Sequence, residues 1–272
     1  MRLINQKISR PVAIALAAIP FVIAIGIYAI ASDMRLSVNP ADKLLPSLSR
    51  MVDAFWTMAF VPSRRTGELL LWSDTFASLY RLGSGVVISA LLAVFVGVPL
   101  GFIPAVRATF SSFVATVSLI PPITVLPILF IVFGLGEVSK IALVVVGTAP
   151  VMIRTIAQAV EDLPSELIVK AQTFGASTWQ MIVRVVLPQI WPKLILALRL
   201  GLVPGWIFLI SAEAIASTEG LGYRIFLVRR YLAMDIILPY VVWITLIAFL
   251  IDRILMVASR TLFPWAHLGA KA

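Results

Sequence analysis

Residues 161–193 read EDLPSELIVKAQTFGASTWQMIVRVVLPQIWPK, the one long polar interruption in an otherwise apolar chain of 272 residues. Asp162-Leu163-Pro164-Ser165-Glu166 has proline and acidic residues where a helix start favours them. The helix that follows is expected to run to Phe174, where Gly175 can take the left-handed conformation that ends it. A second amphipathic segment, Thr178–Val186, meets Leu187-Pro188, and Pro192 is expected to close the stretch. The pattern is a helix, a glycine and a helix, a hairpin held between two membrane spans on the inner face. Such a hairpin suits docking. Ala171 and Gly175 are small enough for another backbone to approach, while Phe174 and Trp179 can fill a pocket.

On either side the chain belongs to the bilayer. Its residues are 61% apolar and 13% charged, against roughly 45–50% and about 25% for a soluble domain. Mean hydropathy is +1.04. About 20 residues cross the hydrocarbon layer as a helix, and six windows of that length stand out: Val12–Ala31, Leu82–Ile103, Phe110–Phe133, Ile141 to about Ala159, Leu194–Ala216 and Ile236–Ala258. Phe110–Phe133 carries Pro121, Pro122 and Pro127, and Leu194–Ala216 carries Pro204, so some carbonyls there need other partners. Arg2, Lys7 and Arg10 precede the first window, which is too long for a signal core and reads as an anchor. With the N-terminus inside, six spans return the C-terminus inside. The charge rule permits this orientation without deciding it, because the first external segment, residues 32–81, is long. That segment is expected to be a loop followed by an interfacial helix at Trp72–Arg81, with Trp72, Phe76, Leu79 and Tyr80 on one face. The whole, residues 1–272, is read as a single transmembrane domain with residues 161–193 as its cytoplasmic hairpin.

Composition also excludes chemistry. No cysteine is present, and one histidine, His267, leaves no cluster for a metal or a nucleophile relay. The excess of 22 basic over 13 acidic residues points to lipid head groups rather than nucleic acid in so apolar a chain. No phosphate loop occurs; Gly134–Lys140 has glycines and a lysine at the wrong spacing. Energy for any uphill transport must come from another chain.

Within the spans, Glu213 invites two readings: a pathway or gate carboxylate, or a helix-end group bonded to the glycine-rich Gly220–Gly222 loop or to an arginine such as Arg224. Pro121-Pro122 makes a kink and can also bare carbonyls to a passage. Asp252 and Arg253 read as an interfacial ion pair or snorkelling residues, and Arg199 faces the same choice. Gly97–Gly101 and Gly201–Gly205 have the spacing that lets helices touch, inside the core or across a dimer seam. Trp56, Trp72, Trp206, Trp243 and Trp265 read as interfacial or packing aromatics.

The hairpin resembles the signature of permease subunits of bacterial binding-protein-dependent ABC importers: Glu-Ala-Ala, three residues, Gly, nine residues, an aliphatic, one residue, Leu-Pro. Ala171, Gly175-Ala176, Val185 and Leu187-Pro188 fall at the required spacing, whereas Val169 and Lys170 depart from it and Glu166 lies one turn earlier. The likeness extends over roughly residues 70–265 and is closest to the nitrate, sulfonate, taurine and bicarbonate branch. It rests there on Pro121-Pro122, Phe133–Glu137 with Lys140, Ser211-Ala212-Glu213, Gly220–Tyr223 and Phe263-Pro264-Trp265. Asn39–Pro46 and Gly220–Tyr231 are also similar to permeases associated with urea carboxylase or guanidine utilisation. The resemblance implies an all-α membrane protein of six transmembrane helices with the type I ABC importer permease (MetI-like) fold in the bacterial inner membrane. It further implies a second permease copy, two ATP-binding subunits that hold ATP and Mg while this chain binds no cofactor, and an extracytoplasmic solute-binding protein. The ATPase-coupling residues would be Glu166, Lys170, Ala171, Phe174, Gly175, Ala176, Trp179, Leu187 and Pro188; Pro121, Pro122 and Glu213 are the pathway candidates. A membrane enzyme would need clustered acids or histidines at the interface, and a stand-alone transporter or channel an inverted repeat or several midplane charges; neither pattern is evident.

Overall fold

The computed structural model describes residues 9–64 and 66–271; Arg2, Lys7 and the N-terminus, expected inside, lie outside the described residues. The described chain is a succession of helices: α1 Arg10–Val38, α2 Leu48–Phe60, α3 Leu70–Phe102, α4 Pro104–Val117, α5 Pro122–Phe133, α6 Glu137–Glu161, α7 Ser165–Thr173, α8 Thr178–Met181, α9 Leu187–Ala216, α10 Leu221–Arg229 and α11 Met234–Leu262. A π-helical stretch, Ile182–Val186, joins α8 to α9, and a 3-10 turn over Pro264–Lys271 follows α11.

At the centre α3, α6 and α9 pack side by side. Lipid is as apolar as leucine, so their association rests on close approach rather than on escape from water. Gly97 and Gly101 supply it: a Cβ on either would lie 2.8 Å from the Ile153 carbonyl oxygen or 2.5 Å from that of Ala157, both on α6. Gly201 and Gly205 bring α9 against Met152, Thr148 and Leu82. Both glycine pairs therefore serve packing inside the chain. Where the three helices meet, the Ser89 and Thr148 hydroxyls bond at 2.7 Å, and Leu143, Val144, Ile156 and Leu209 are fully enclosed. Arg199 of α9 grips Asp252 of α11 through Nε at 2.7 Å and Nη2 at 3.1 Å, while Arg253 lies over the Phe249 ring. The tryptophans pack as expected: Trp72 and Trp243 meet edge to face, and Trp72 donates to the Ala59 carbonyl.

Among the described residues five helices are long and apolar enough to cross a membrane, and the bent pair α4–α5 makes six if counted as one span. Four local expectations change. The span expected over Phe110–Phe133 is not one rod, because α4 and α5 meet at 93°. Pro121 and Pro122 cannot donate backbone hydrogen bonds, and Pro121 is extended, at ψ 116°, which stops the first helix and restarts the second at Pro122. The helix expected to lie separately at Trp72–Arg81 forms the first three turns of α3. Its inward face is the polar one, Asp74, Ser78 and Arg81, while Phe76 and Tyr80 are exposed. Pro192 does not close the hairpin. Helix continues from Thr178 to Ala216, and the π stretch just before Pro188, in which the Leu187 N–H donates to the Ile182 carbonyl, accommodates the missing amide. The external segment also starts later than residue 32, since α1 runs to Val38.

Candidate functional site

The hairpin and a buried ionic cluster occupy opposite ends of α6, whose 25 residues span about 37 Å.

At the C-terminal end of α6, Asp162 caps the helix and Pro164 precedes α7. Glu166 lies in the first turn of α7 and Lys170 in its last turn, matching the helix dipole at both ends. Gly175 has φ +73°, and the Ala176 N–H returns to the Ala171 carbonyl at 3.0 Å, the reversal that a left-handed glycine permits. Ser177 then caps α8 reciprocally: its hydroxyl accepts from the Gln180 N–H while the Gln180 side chain accepts from the Ser177 N–H. Two large apolar side chains flank the turn in the open, Phe174 at 89% exposure and Trp179 at 72%. No Cβ at Gly175 would meet anything within 4 Å. The hairpin is anchored from beneath by Met181 and Val186, both buried. Leu187 and Pro188 begin α9, so the hairpin runs without a break into a long apolar helix.

At the other end, α3 contributes a polar stripe at i, i+4 and i+7, Asp74, Ser78 and Arg81, around which the partners gather. Arg81, 1% exposed, makes a two-pronged contact with Glu137 through Nε at 2.5 Å and Nη2 at 2.9 Å. Its Nη1 donates to Glu213 Oε1 at 2.8 Å and to the Glu219 backbone carbonyl at 2.9 Å. Glu213, with no exposed surface, also accepts from the Ser78 hydroxyl and from the Gly222 N–H at 2.8 Å. Ser78 in turn accepts from the Leu221 N–H at 2.8 Å. Asp74, equally buried, takes the Gly220 N–H at 3.0 Å, a two-pronged Arg224 and the Tyr240 hydroxyl at 3.1 Å. Burial lowers the affinity of Arg224 for its proton, but the hydrogen bonds and charge of Asp74 outweigh this and hold the guanidinium above its ordinary value. Gly220 sits at φ +120°, and a Cβ there would fall 2.5 Å from the Glu213 carboxyl carbon. Lys140, one turn into α6, closes the rim on Glu137 at 2.7 Å. A charged side chain in a bilayer-embedded fold persists where such partners meet it, and α10 is thereby fixed to α3.

The sequence-derived residues thus fall into three places. Glu166, Lys170, Ala171, Phe174, Gly175, Ala176, Trp179, Leu187 and Pro188 lie together on the hairpin and its root. Pro121 and Pro122 form the elbow between α4 and α5. Glu213 lies in the ionic cluster, and its arginine is Arg81 rather than Arg224, which belongs to Asp74. Sequence reading did not find Arg81 and Asp74 as the hubs. The available signal was the polar spacing 74, 78, 81 within an apolar helix.

Residues 85–265 match the family described as binding-protein-dependent transport system inner membrane component. The chain is 36% identical over 199 residues to the taurine transport system permease protein TauC of Escherichia coli K12, covering 73% of this chain and 72% of that protein. It is 28% identical over 212 residues to the bicarbonate transport system permease protein CmpB of Synechococcus elongatus, covering 72% and 76%. Among solved structures, an inward-facing MetNI methionine ABC transporter superposes with a TM-score of 0.57 at 22% identity, covering 67% of this chain and 93% of the other; the two share a fold. With the matched region reaching from the middle of α3 through the hairpin to the end of α11, the chain belongs to the inner membrane component family of binding-protein-dependent transport systems.

Proposed function

We propose that this chain is the membrane-spanning half of an ATP-driven importer: two copies form the pathway in a bacterial inner membrane with both termini inside, two ATP-binding subunits dock on the hairpins, and an extracytoplasmic binding protein delivers a small polar solute. The observation that carries the reading is the hairpin, where Phe174 and Trp179 stand exposed on either side of a left-handed Gly175, directly continuous with span α9. Exposed aromatics beside an open glycine are what a protein partner's pocket engages. The solute is a small anion of the sulfonate or carbonate kind. Relatives named for taurine and bicarbonate support this, and so does Glu213: its carboxylate is occupied by Arg81, Ser78 and Gly222, which leaves no free acid for a guanidinium or other cation. A bulky side chain at Gly175 both strains a positive φ and blocks the approach. In proteoliposomes holding the assembled complex and its binding protein, Gly175→Trp is expected to insert and assemble normally, yet to lose solute-stimulated ATP hydrolysis and uptake together. If Gly175→Trp still couples hydrolysis to uptake, the docking assignment fails.

A further inference from the structure

Arg81, Arg107, Arg199 and Arg224 each meet a carboxylate. Arg154 does not. It stands on α6 about 25 Å from the first residue of the helix and about 10 Å from the last, at the hairpin-side end. It is exposed, and its one partner among the described residues is neutral: Nη1 donates to the Ser118 hydroxyl oxygen at 3.1 Å. That hydroxyl spends its own proton on the Ala115 carbonyl at 2.7 Å. Most of the N–H donors of the guanidinium are therefore open. A charge left so within a spanning helix is costly unless it faces water or a counter-charge.

The surface around Arg154 has the same character. The opposite side of α6, with Met152, Ile156 and Val160, is buried in the core. Helix α5 packs against the other half of α6, Leu126 and Leu129 with Leu143. Across the 93° elbow, α4 meets the hairpin-side half through Ser118 to Arg154 and Arg107 to Glu161, the latter at 3.1 Å. Whereas α5 has Thr124 as its one polar side chain, α4 buries no residue, and the exposed hydroxyls of Ser111 and Ser112 have no partner among the described residues. Open hydroxyls beside a charge without a counter-charge mark a face that meets water rather than lipid. The free edge of a guanidinium is a planar fork that fits two oxygens of a sulfonate or a carbonate and repels a cation. We infer that Arg154 binds the oxyanion as it passes the Pro121-Pro122 elbow, an assignment that rests on the reading of the chain as half of an anion importer's pathway.

The test uses the assembled complex with its binding protein in proteoliposomes, and radiolabelled taurine and bicarbonate as probes. Arg154→Gln should preserve assembly and thermal stability but lower the maximal uptake rate about tenfold, the worth of a hydrogen bond to a charged group. Arg154→Lys keeps the charge without the fork and should lose about threefold. Ser118→Ala removes the neutral partner alone and should retain most of the uptake; a loss as large as that of Arg154→Gln would make Arg154 a prop for the elbow and overturns the proposal. A second measurement is independent of the solute. The chain has no cysteine, so Arg154→Cys carries its only thiol. In nanodiscs a charged methanethiosulfonate should modify that thiol at least about tenfold faster than the thiol of Phe95→Cys, an exposed apolar position on α3, because the thiolate that reacts forms in water. Equal rates overturn the placement of Arg154 on a water-filled path. If the unmodified chain moves neither probe, the reading of the solute fails and the anion contact with it, whereas wild-type uptake that survives unchanged in Arg154→Gln overturns the anion contact alone.

Discussion

The two ends of α6 solve opposite problems. At the hairpin, hydrogen bonds join residues three to five apart, Ser177 with Gln180 and Ala176 with Ala171, and the largest side chains face out. In the ionic cluster, the bonds that gather the helices join residues far apart, 56 for Arg81 with Glu137 and 166 for Asp74 with Tyr240, and Arg81, Asp74 and Glu213 are sealed in. An element proposed to release and rebind a partner would need its own local scaffold and exposed contact groups, and the hairpin has both. An element that must stay shut draws its partners from four helices. Substitutions at the two ends should therefore separate stability from coupling.

The largest effect belongs to Arg81. Arg81→Met removes the donor common to Glu137, Glu213 and Glu219 and leaves Glu213 buried with an uncompensated charge. Breaking a buried pair from one side destabilises by about 3–5 kcal/mol. Thermal unfolding of the purified complex should fall by about 10 °C, and the double variant Arg81→Met with Glu213→Gln should recover part of that loss, because the orphaned charge is gone. Additive losses in the double variant would mean that the two groups are not coupled.

This asymmetry also explains what the sequence could reveal. The hairpin was legible because caps, a left-handed glycine and a Leu-Pro pair act within a few residues, so a one-dimensional reading contains the whole argument. Five of the six spans were legible from hydropathy alone, and the sixth was legible as an apolar window but not as a bent pair. Arg81 was assigned to an external interfacial helix because Trp72, Phe76, Leu79 and Tyr80 fall on one face. In the fold that face is divided: Phe76 and Tyr80 are exposed, Trp72 and Leu79 pack against the chain, and the polar stripe of Asp74, Ser78 and Arg81 is enclosed among partners, as charged groups in a bilayer require. Partners 56 to 166 residues away cannot be read from spacing. The 93° elbow at Pro121-Pro122 was visible as a kink, but its angle is set by how α5 packs against α6 and α9.

A smaller effect is expected from Glu213→Gln. Glutamine keeps the shape and one oxygen, so Arg81 retains an acceptor in addition to Glu137, but the amide nitrogen cannot accept the Gly222 N–H that now meets Oε2 at 2.8 Å. One orphaned buried amide is worth about 1–3 kcal/mol. For an anionic solute, uptake per assembled complex should be unchanged while thermal stability drops. Loss of uptake at unchanged stability would place Glu213 on the solute's path.

At the exposed end, Phe174→Ala and Trp179→Ala should change stability by no more than about 0.5 kcal/mol, the usual range for surface positions, because neither side chain is packed against the chain. Both should nevertheless reduce solute-stimulated ATPase activity about tenfold or more, since aromatic anchors of this type carry about 2 kcal/mol or more of an interface. A drop in thermal stability equal to that of Glu213→Gln would abolish the distinction between the two ends.

The smallest effect tests a third kind of site, a partly exposed ion pair between the last turn of α1 and the turn that follows it. Asp42 accepts the Leu44 N–H at 2.7 Å and the Arg35 Nε at 2.5 Å. The Leu44 amide, then the Arg35 hydrogen bond and charge, hold its carboxyl below the ordinary aspartate value, against a smaller opposing push from desolvation. A depressed folded-state pKa contributes stability that is fully present above the unfolded value and is lost as pH falls through the folded one. The loss is confined to acid below the ordinary aspartate range, and near neutral pH the turn over residues 39–46 should be insensitive to pH. Hydrogen exchange at the Leu44 amide should accelerate, relative to its intrinsic rate, only when the pH is brought below that range. Asp42→Asn should show the faster exchange at every pH, while global unfolding stays unchanged because solvent screens a pair at this position. If protonating Asp42 instead lowered the unfolding temperature of the whole complex, as losing Arg81 should, the local and the buried ion pairs would not be separate classes and the division between the ends of the molecule would have to be redrawn.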